Sequence, residues 1–150
     1  MFANAKVLVL LLAAELSAAN VVARTDSGLE IIDLSDPVAA AAAGHGCAAP
    51  GAVNGQCGRY YRSGGCNDQI GSIDPGDCEG KCYKHPAGIR SVKAIGDGTY
   101  GTNCQLFSDE KCSDGKELGE TGNAIFVTDQ RCYTAPGDKK GKSFRCWFKC

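Results

Sequence analysis

Ser143-Phe144-Arg145-Cys146-Trp147-Phe148-Lys149-Cys150 carries two signals at once. Side chains alternate across a strand, so Phe144, Cys146 and Phe148 share one face while Arg145, Trp147 and Lys149 share the other. The first face reads as core and the second as solvent-facing. Half-cystines placed within and at the end of such a strand assign it to a domain cross-linked by disulfides.

The same rhythm extends upstream. Turn signals recur at Asn54-Gly55, Gly64-Gly65, Pro75-Gly76-Asp77, Asp97-Gly98, Asp114-Gly115, Gly122-Asn123 and Pro136-Gly137-Asp138, with short apolar or aromatic stretches between them. The expected strands are 59–62, 81–84, 89–95, 104–107, 124–128, 131–134 and 143–149. No stretch beyond the N-terminal leader has helical periodicity. The expected fold is therefore mostly β, a small disulfide-rich single domain built as a β-sandwich or a compact antiparallel sheet.

Ten cysteines, Cys47, Cys57, Cys66, Cys78, Cys82, Cys104, Cys112, Cys132, Cys146 and Cys150, all fall within the segment 47–150. An even set can pair completely, and oxidised pairs persist outside the reducing cytosol. Five disulfides are expected, with connectivity open among about 945 possibilities. Closing a loop of ten to twenty residues contributes roughly 3 kcal/mol, which compensates for sparse large apolar residues.

The beginning of the chain fits this compartment. Lys6, the apolar run Val7 to Ala14, and the small residues Ser17-Ala18-Ala19 or Val21-Val22-Ala23 read as a signal peptide of residues 1–19, cleaved after 19 or 23. Glu15 interrupts the run at about half the ~20 residues a membrane span needs. Residues 20–46 have no cysteine and no aromatic residue, carry Asp26, Glu30, Asp33 and Asp36 against Arg24, and end in an alanine-glycine run. They read as a disordered acidic arm or pro-segment. The domain 47–150 has 14 Lys and Arg against 12 Asp and Glu, too small an excess to point to nucleic acid.

Chemistry is sparsely written. Metal binding is not expected: the CxxxC pairs do not match zinc-ribbon spacing, and His45 and His85 are the chain's two histidines. A hydrolase would draw on His85 with Asp74, Asp77 or Glu79, yet no nucleophile elbow or HExxH element is present, and Pro86 biases His85 toward an extended turn. No catalytic residue and no cofactor is expected. The densest positive cluster is Lys139, Lys140, Lys142, Arg145 and Lys149 with Trp147 interleaved. It suits an anionic lipid surface, a polysaccharide or an acidic protein patch. Its structural alternative is an edge strand whose lysines discourage aggregation. Tyr60 and Tyr61, between Arg59 and Arg62, form a second aromatic group, and alternation places one inside and one outside.

The layout resembles the small secreted cysteine-rich proteins of filamentous fungi, many of them candidate effectors. The segments that carry the resemblance are CGRYYRSGGC (57–66), GDGTYGTNCQLFSDEKC (96–112) and SFRCWFKC (143–150). It implies a non-enzymatic secreted protein acting in the host apoplast, or in host cells after uptake; the chain is expected to be a monomer that binds an unknown host protein or surface. Its role would lie in virulence or modulation of host immunity. The alternative in a different class is an antimicrobial or killer-toxin-like protein acting on microbial membranes or walls. Ser91-Val92-Lys93 followed by Cys104-Gln105-Leu106-Phe107 and Cys112 resembles the strand-turn pattern of βγ-crystallin-like domains. Asn67-Asp68-Gln69-Ile70-Gly71-Ser72 matches that family's calcium motif except that Gly71 lacks the hydroxyl, which a hard cation needs.

Overall fold

The computed structural model describes residues 23–24, 28–36, 56–75, 78, 80–126 and 130–148. Its strands in chain order are β1 Ala23–Arg24, β2 Glu30–Asp33, β3 Cys57–Tyr61, β4 Gln69–Ile73, β5 Lys81–Ile89, β6 Ser91–Ile95, β7 Thr102–Phe107, β8 Glu117–Glu120, β9 Gln130–Thr134 and β10 Gly141–Phe148. One sheet has the order β1-β2-β5-β10-β7-β8 and the other β4-β3-β6-β9. β2 joins β5 in parallel, and the other ladders are antiparallel. Of the two expected β architectures, the chain adopts the two-sheet one.

The core lies between the sheets. Tyr60, Val92 and Ala94 of the smaller sheet meet Tyr83, Leu106 and Phe144 of the larger. At its centre Cys104 and Cys146, directly paired on β7 and β10, are joined by a disulfide. The disulfide projects toward Gly58 of β3. A side chain at that glycine would collide with Cys146 Sγ, with Ile73 Cδ1 at 2.9 Å and Cys104 Sγ at 3.2 Å. Phe144 and Cys146 are fully buried, as their shared face in the sequence predicts.

The opposite face of β10 is not simply exposed. The loop 108–116 lies against it, tied by the Cys82–Cys112 disulfide. Ser143 Oγ accepts from Cys112 N–H at 3.1 Å and donates to the Asp109 carbonyl at 2.7 Å. Phe107, Cys82 and Cys112 with Ile31 make a second, smaller apolar cluster beneath this loop. A third disulfide, Cys66–Cys132, staples the β3–β4 turn to β9. Cys57 and Cys78 are disulfide-bonded as well, while Cys47 and Cys150 fall outside the described residues.

Several expectations need correction. The stretch 89–95 is not one strand: β5 ends at Ile89 and β6 begins at Ser91 in the other sheet. Gly88, at φ +90°, precedes this corner, and Arg90 forms it, donating its N–H to the Tyr61 carbonyl at 2.9 Å. The stretch 124–126 holds an isolated bridge from Ala124 to Thr102 rather than a strand, and 127–128 are outside the described residues. β4 and β8 add to the expected strands, since Gln-Ile-Gly-Ser-Ile and Glu-Leu-Gly-Glu carry weak strand propensity.

The expectation of a disordered arm fails over Glu30–Asp33. These residues form β2, and its carboxylates face lysines of β5. Glu30 meets Lys81 at 3.4 Å and Asp33 meets Lys84 at 2.9 Å. Leu34, 8 % exposed, anchors the end of the strand in the core, its N–H bonded to the Lys84 carbonyl. Burial alone would raise the Asp33 carboxyl, but hydrogen bonds from Ser35 and Lys84 hold it below its ordinary value. The leader 1–19 and residues 37–46 lie outside the described residues.

Candidate functional site

β10 separates the basic-aromatic set that the sequence placed together. Lys139, Lys140 and Lys142 sit at its start, and Trp147 lies at its far end, about 17 Å along the strand from Lys142. Lys139 and Lys140 are exposed on a braced loop, and Lys142, also exposed, is the second residue of β10. The Arg90 guanidinium donates to the carbonyls of Lys139 and, at 2.6 Å, Gly137. The Lys140 stem lies over Gly88, where an added Cβ would stand 2.9 Å from its Cδ. Lys149 is outside the described residues.

Tyr60 and Tyr61 do not form a surface. They are 6 % and 4 % exposed, so the alternation that put one outside does not hold. Tyr60 packs in the core against Phe144, with ring centroids 5.1 Å apart, and against His85 at 5.7 Å. Tyr61 is on the other side of the strand, its ring covered by the Lys93 ammonium at 5.7 Å. Burial raises the pKa of both hydroxyls, against Arg59 in the case of Tyr61.

Arg145 and Trp147 do form a unit. The Arg145 guanidinium lies 5.4 Å from the Phe107 ring centroid and 5.3 Å from that of Trp147, so the three side chains stack along the outer face of the larger sheet. Phe107 is its buried end, under the 108–116 loop, and Trp147 its half-exposed end. Gln105, opposite Arg145 in register, accepts from its Nη2 at 3.1 Å. Asn103, opposite Trp147, donates to Glu120 at 3.0 Å and accepts from the Thr121 hydroxyl at 2.9 Å. The planar polar groups beside the indole are thus held in fixed orientations.

The same end of the molecule carries the exposed large apolar side chains Tyr100, Ile125 and Phe126, at 44 %, 41 % and 56 %. Two loops present them, 96–101 and 121–126. The loops are zipped by Gly98 N–H to the Ile125 carbonyl at 3.0 Å and by reciprocal bonds between Thr102 and Ala124 at 2.9 and 2.8 Å. Gly96 and Gly101 permit this approach, since a Cβ at either would collide with the carbonyls of Ala124 and Ile125 or with the Asn123 amide. Asp97 Oδ1 accepts from the N–H groups of Thr99 and Tyr100 at 2.7 and 2.6 Å, an Asx turn that fixes Tyr100. The Tyr100 ring meets Phe148 edge-on, with centroids 5.8 Å apart. Phe148, Tyr100 and the Ile125-Phe126 tip therefore form one aromatic end, while Trp147, next to Phe148 in the strand, faces the outer side of the larger sheet with Arg145. Sequence reading missed the tip because Ala-Ile-Phe resembles a buried strand; the signal that could have found it was the glycine pair with the Asx turn.

The remaining candidates are placed only in part. His85 is half-buried against Tyr60, and burial lowers its pKa. The Asp74 carbonyl accepts from the Tyr83 hydroxyl at 2.9 Å, and Asp77 and Glu79 lie outside the described residues. Among the described residues no group of three or more His, Cys, Asp or Glu side chains could hold a metal ion. In the 67–72 motif, Asp68 pairs with Arg62 at 3.5 Å. Gly71 is glycine for a packing reason, since an added Cβ would stand 2.8 Å from Tyr60 Cζ. No helix among the described residues is long and apolar enough to cross a membrane. No protein-family model matches the chain, and no curated protein or solved structure is similar to it.

Proposed function

We propose that this protein is a secreted effector that acts in host tissue by binding a host component through its aromatic end. The observation that carries this reading is the exposure of Tyr100, Ile125 and Phe126 on two loops immobilised by backbone hydrogen bonds, an Asx turn and two close-approach glycines. Rigidly held apolar side chains lose little entropy on binding, and exposed apolar clusters mark interaction surfaces. The disulfides are compatible with an extracellular setting such as the host apoplast. The test is Ile125→Ser combined with Phe126→Ser, applied to host tissue as oxidised, folded protein. Loss of the host response at doses where the parent protein acts is the expected outcome; an unchanged dose–response would place recognition elsewhere.

A second reading rests on the Arg90-braced lysine loop, which would serve an antimicrobial protein engaging anionic microbial surfaces. Binding of that kind falls steeply with salt, because the Debye length shrinks from about 10 Å at 0.1 M to about 3 Å at 1 M. Recognition by the aromatic end changes little over the same range.

A further inference from the structure

We infer that the outer face of the larger sheet, beside the aromatic end, binds a neutral polysaccharide chain, with Trp147 as the platform on which a sugar ring rests. This goes beyond the proposed function, since it assigns a ligand to a second surface, next to the end formed by Tyr100 and the Ile125-Phe126 tip.

Three observations converge. The first is the indole. Arg145 holds Trp147 from one side, and on the β5 side its neighbour is Gly80, which has no side chain of its own to lay on the half-exposed indole: an added Cβ would stand 3.7 Å from the Trp147 Cβ. A pyranose presents a face of C–H groups that packs on such an apolar, electron-rich surface.

The second is the hydrogen-bonding inventory next to the indole. Gln105 uses its carbonyl oxygen on Arg145, leaving its two amide N–H donors, and Asn103 keeps one N–H after serving Glu120. Glu120 accepts from Asn103 with one oxygen and keeps acceptor capacity on the other. A row offering both donors and acceptors in fixed orientations suits hydroxyl groups, which are both at once.

The third is charge. Among the described residues on this part of the face Arg145 and Glu120 offset one another across the row, while Lys139, Lys140 and Lys142 stand at the opposite end of the strand. A polyanion or an anionic bilayer would be drawn to the lysines, not to this balanced surface. An uncharged ligand with apolar faces and many hydroxyls matches it.

The experiment uses the oxidised protein with insoluble chitin, cellulose and β-1,3-glucan in sedimentation, and with soluble hexasaccharides of each in fluorescence titration. Trp147 is the chain's one tryptophan, so emission reports directly on the proposed platform. The expected result is saturable binding to at least one of the three with a change in Trp147 emission, retained between about 0.1 and 1 M salt. Gln105→Ala, which empties no core position, should weaken binding about tenfold, and Trp147→Ala should abolish sedimentation. Absence of binding to all three would overturn the glycan inference; if the protein then still elicits its host response and loses it on Ile125→Ser with Phe126→Ser, the aromatic end recognises a protein instead. Binding that salt removes, or that both variants leave intact, would equally overturn it.

Discussion

Replacing Gly58 by alanine adds one methyl group at the centre of the sandwich, where the smaller sheet rests on the disulfide of the larger. The methyl would overlap Cys146 Sγ and stand 2.9 Å from Ile73 Cδ1 and 3.2 Å from Cys104 Sγ. Ile73, Cys104 and Cys146 are all 0 % exposed, and the two sulfurs are held covalently, so the surroundings have little room to yield. Overpacking of this kind costs about 1–3 kcal/mol. Against it, the reduced freedom of the unfolded chain returns about 0.4–1 kcal/mol. The net expectation is a loss of about 1–2 kcal/mol, which for a domain of this size lowers Tm by roughly 4–8 °C for each kcal/mol. Urea unfolding of the oxidised protein followed by Trp147 fluorescence measures it. The same substitution in a Cys104→Ala, Cys146→Ala background supplies the control, since contacting residues couple and the penalty should shrink once the sulfurs are gone. A Gly58→Ala protein as stable as the parent, or a penalty unchanged without the disulfide, would refute the packing of β3 on the β7–β10 bridge.

Replacing Cys82 and Cys112 together by alanine opens a link that spans 30 residues, for which the chain-entropy treatment gives a loss of about 3.5 kcal/mol in urea titrations. Arg145→Lys removes the planar cation from between Phe107 and Trp147; a loss of about 1 kcal/mol and a red shift of tryptophan emission are expected, because lysine cannot stack on two rings. Alkaline stability follows from burial, which pushes the hydroxyls of Tyr60, Tyr61 and Tyr83 upward. The unfolded state gives up these protons first, near pH 10, so stability should be full below that pH and decline above it. Absorbance titration should then show these tyrosines ionising together with unfolding rather than before it.

The parts of the fold visible in the sequence were those governed by local pattern. Alternation at Phe144 and Cys146 identified a core face that the structure keeps, and the turn signals bounded most of the β3 to β10 strands. What sequence could not show was set by distant partners. β2 exists because Glu30 and Asp33 find Lys81 and Lys84 some fifty residues away, in a parallel pairing that leaves no local signature. Tyr60 and Tyr61 are both buried because the second face of β3 is itself covered, which period-two reading does not anticipate. Arg145 and Trp147, i and i+2 neighbours expected on one face, do pack on each other. The lysines of the same set are separated from Trp147 by the extended rise of β10, and the Ile125-Phe126 tip joined the site through loop-to-loop bonds that no single segment encodes.

The proposal that recognition resides at the aromatic end, and not in the lysine loop, meets its most direct test in a head-to-head comparison on host tissue. One protein carries Tyr100→Ala and Phe126→Ser; the other carries Lys139→Gln, Lys140→Gln and Lys142→Gln; both are verified as oxidised and folded by near-ultraviolet circular dichroism. The account predicts that the first loses the host response and the second retains it. Retention by the first with loss in the second would contradict it and transfer recognition to the basic end.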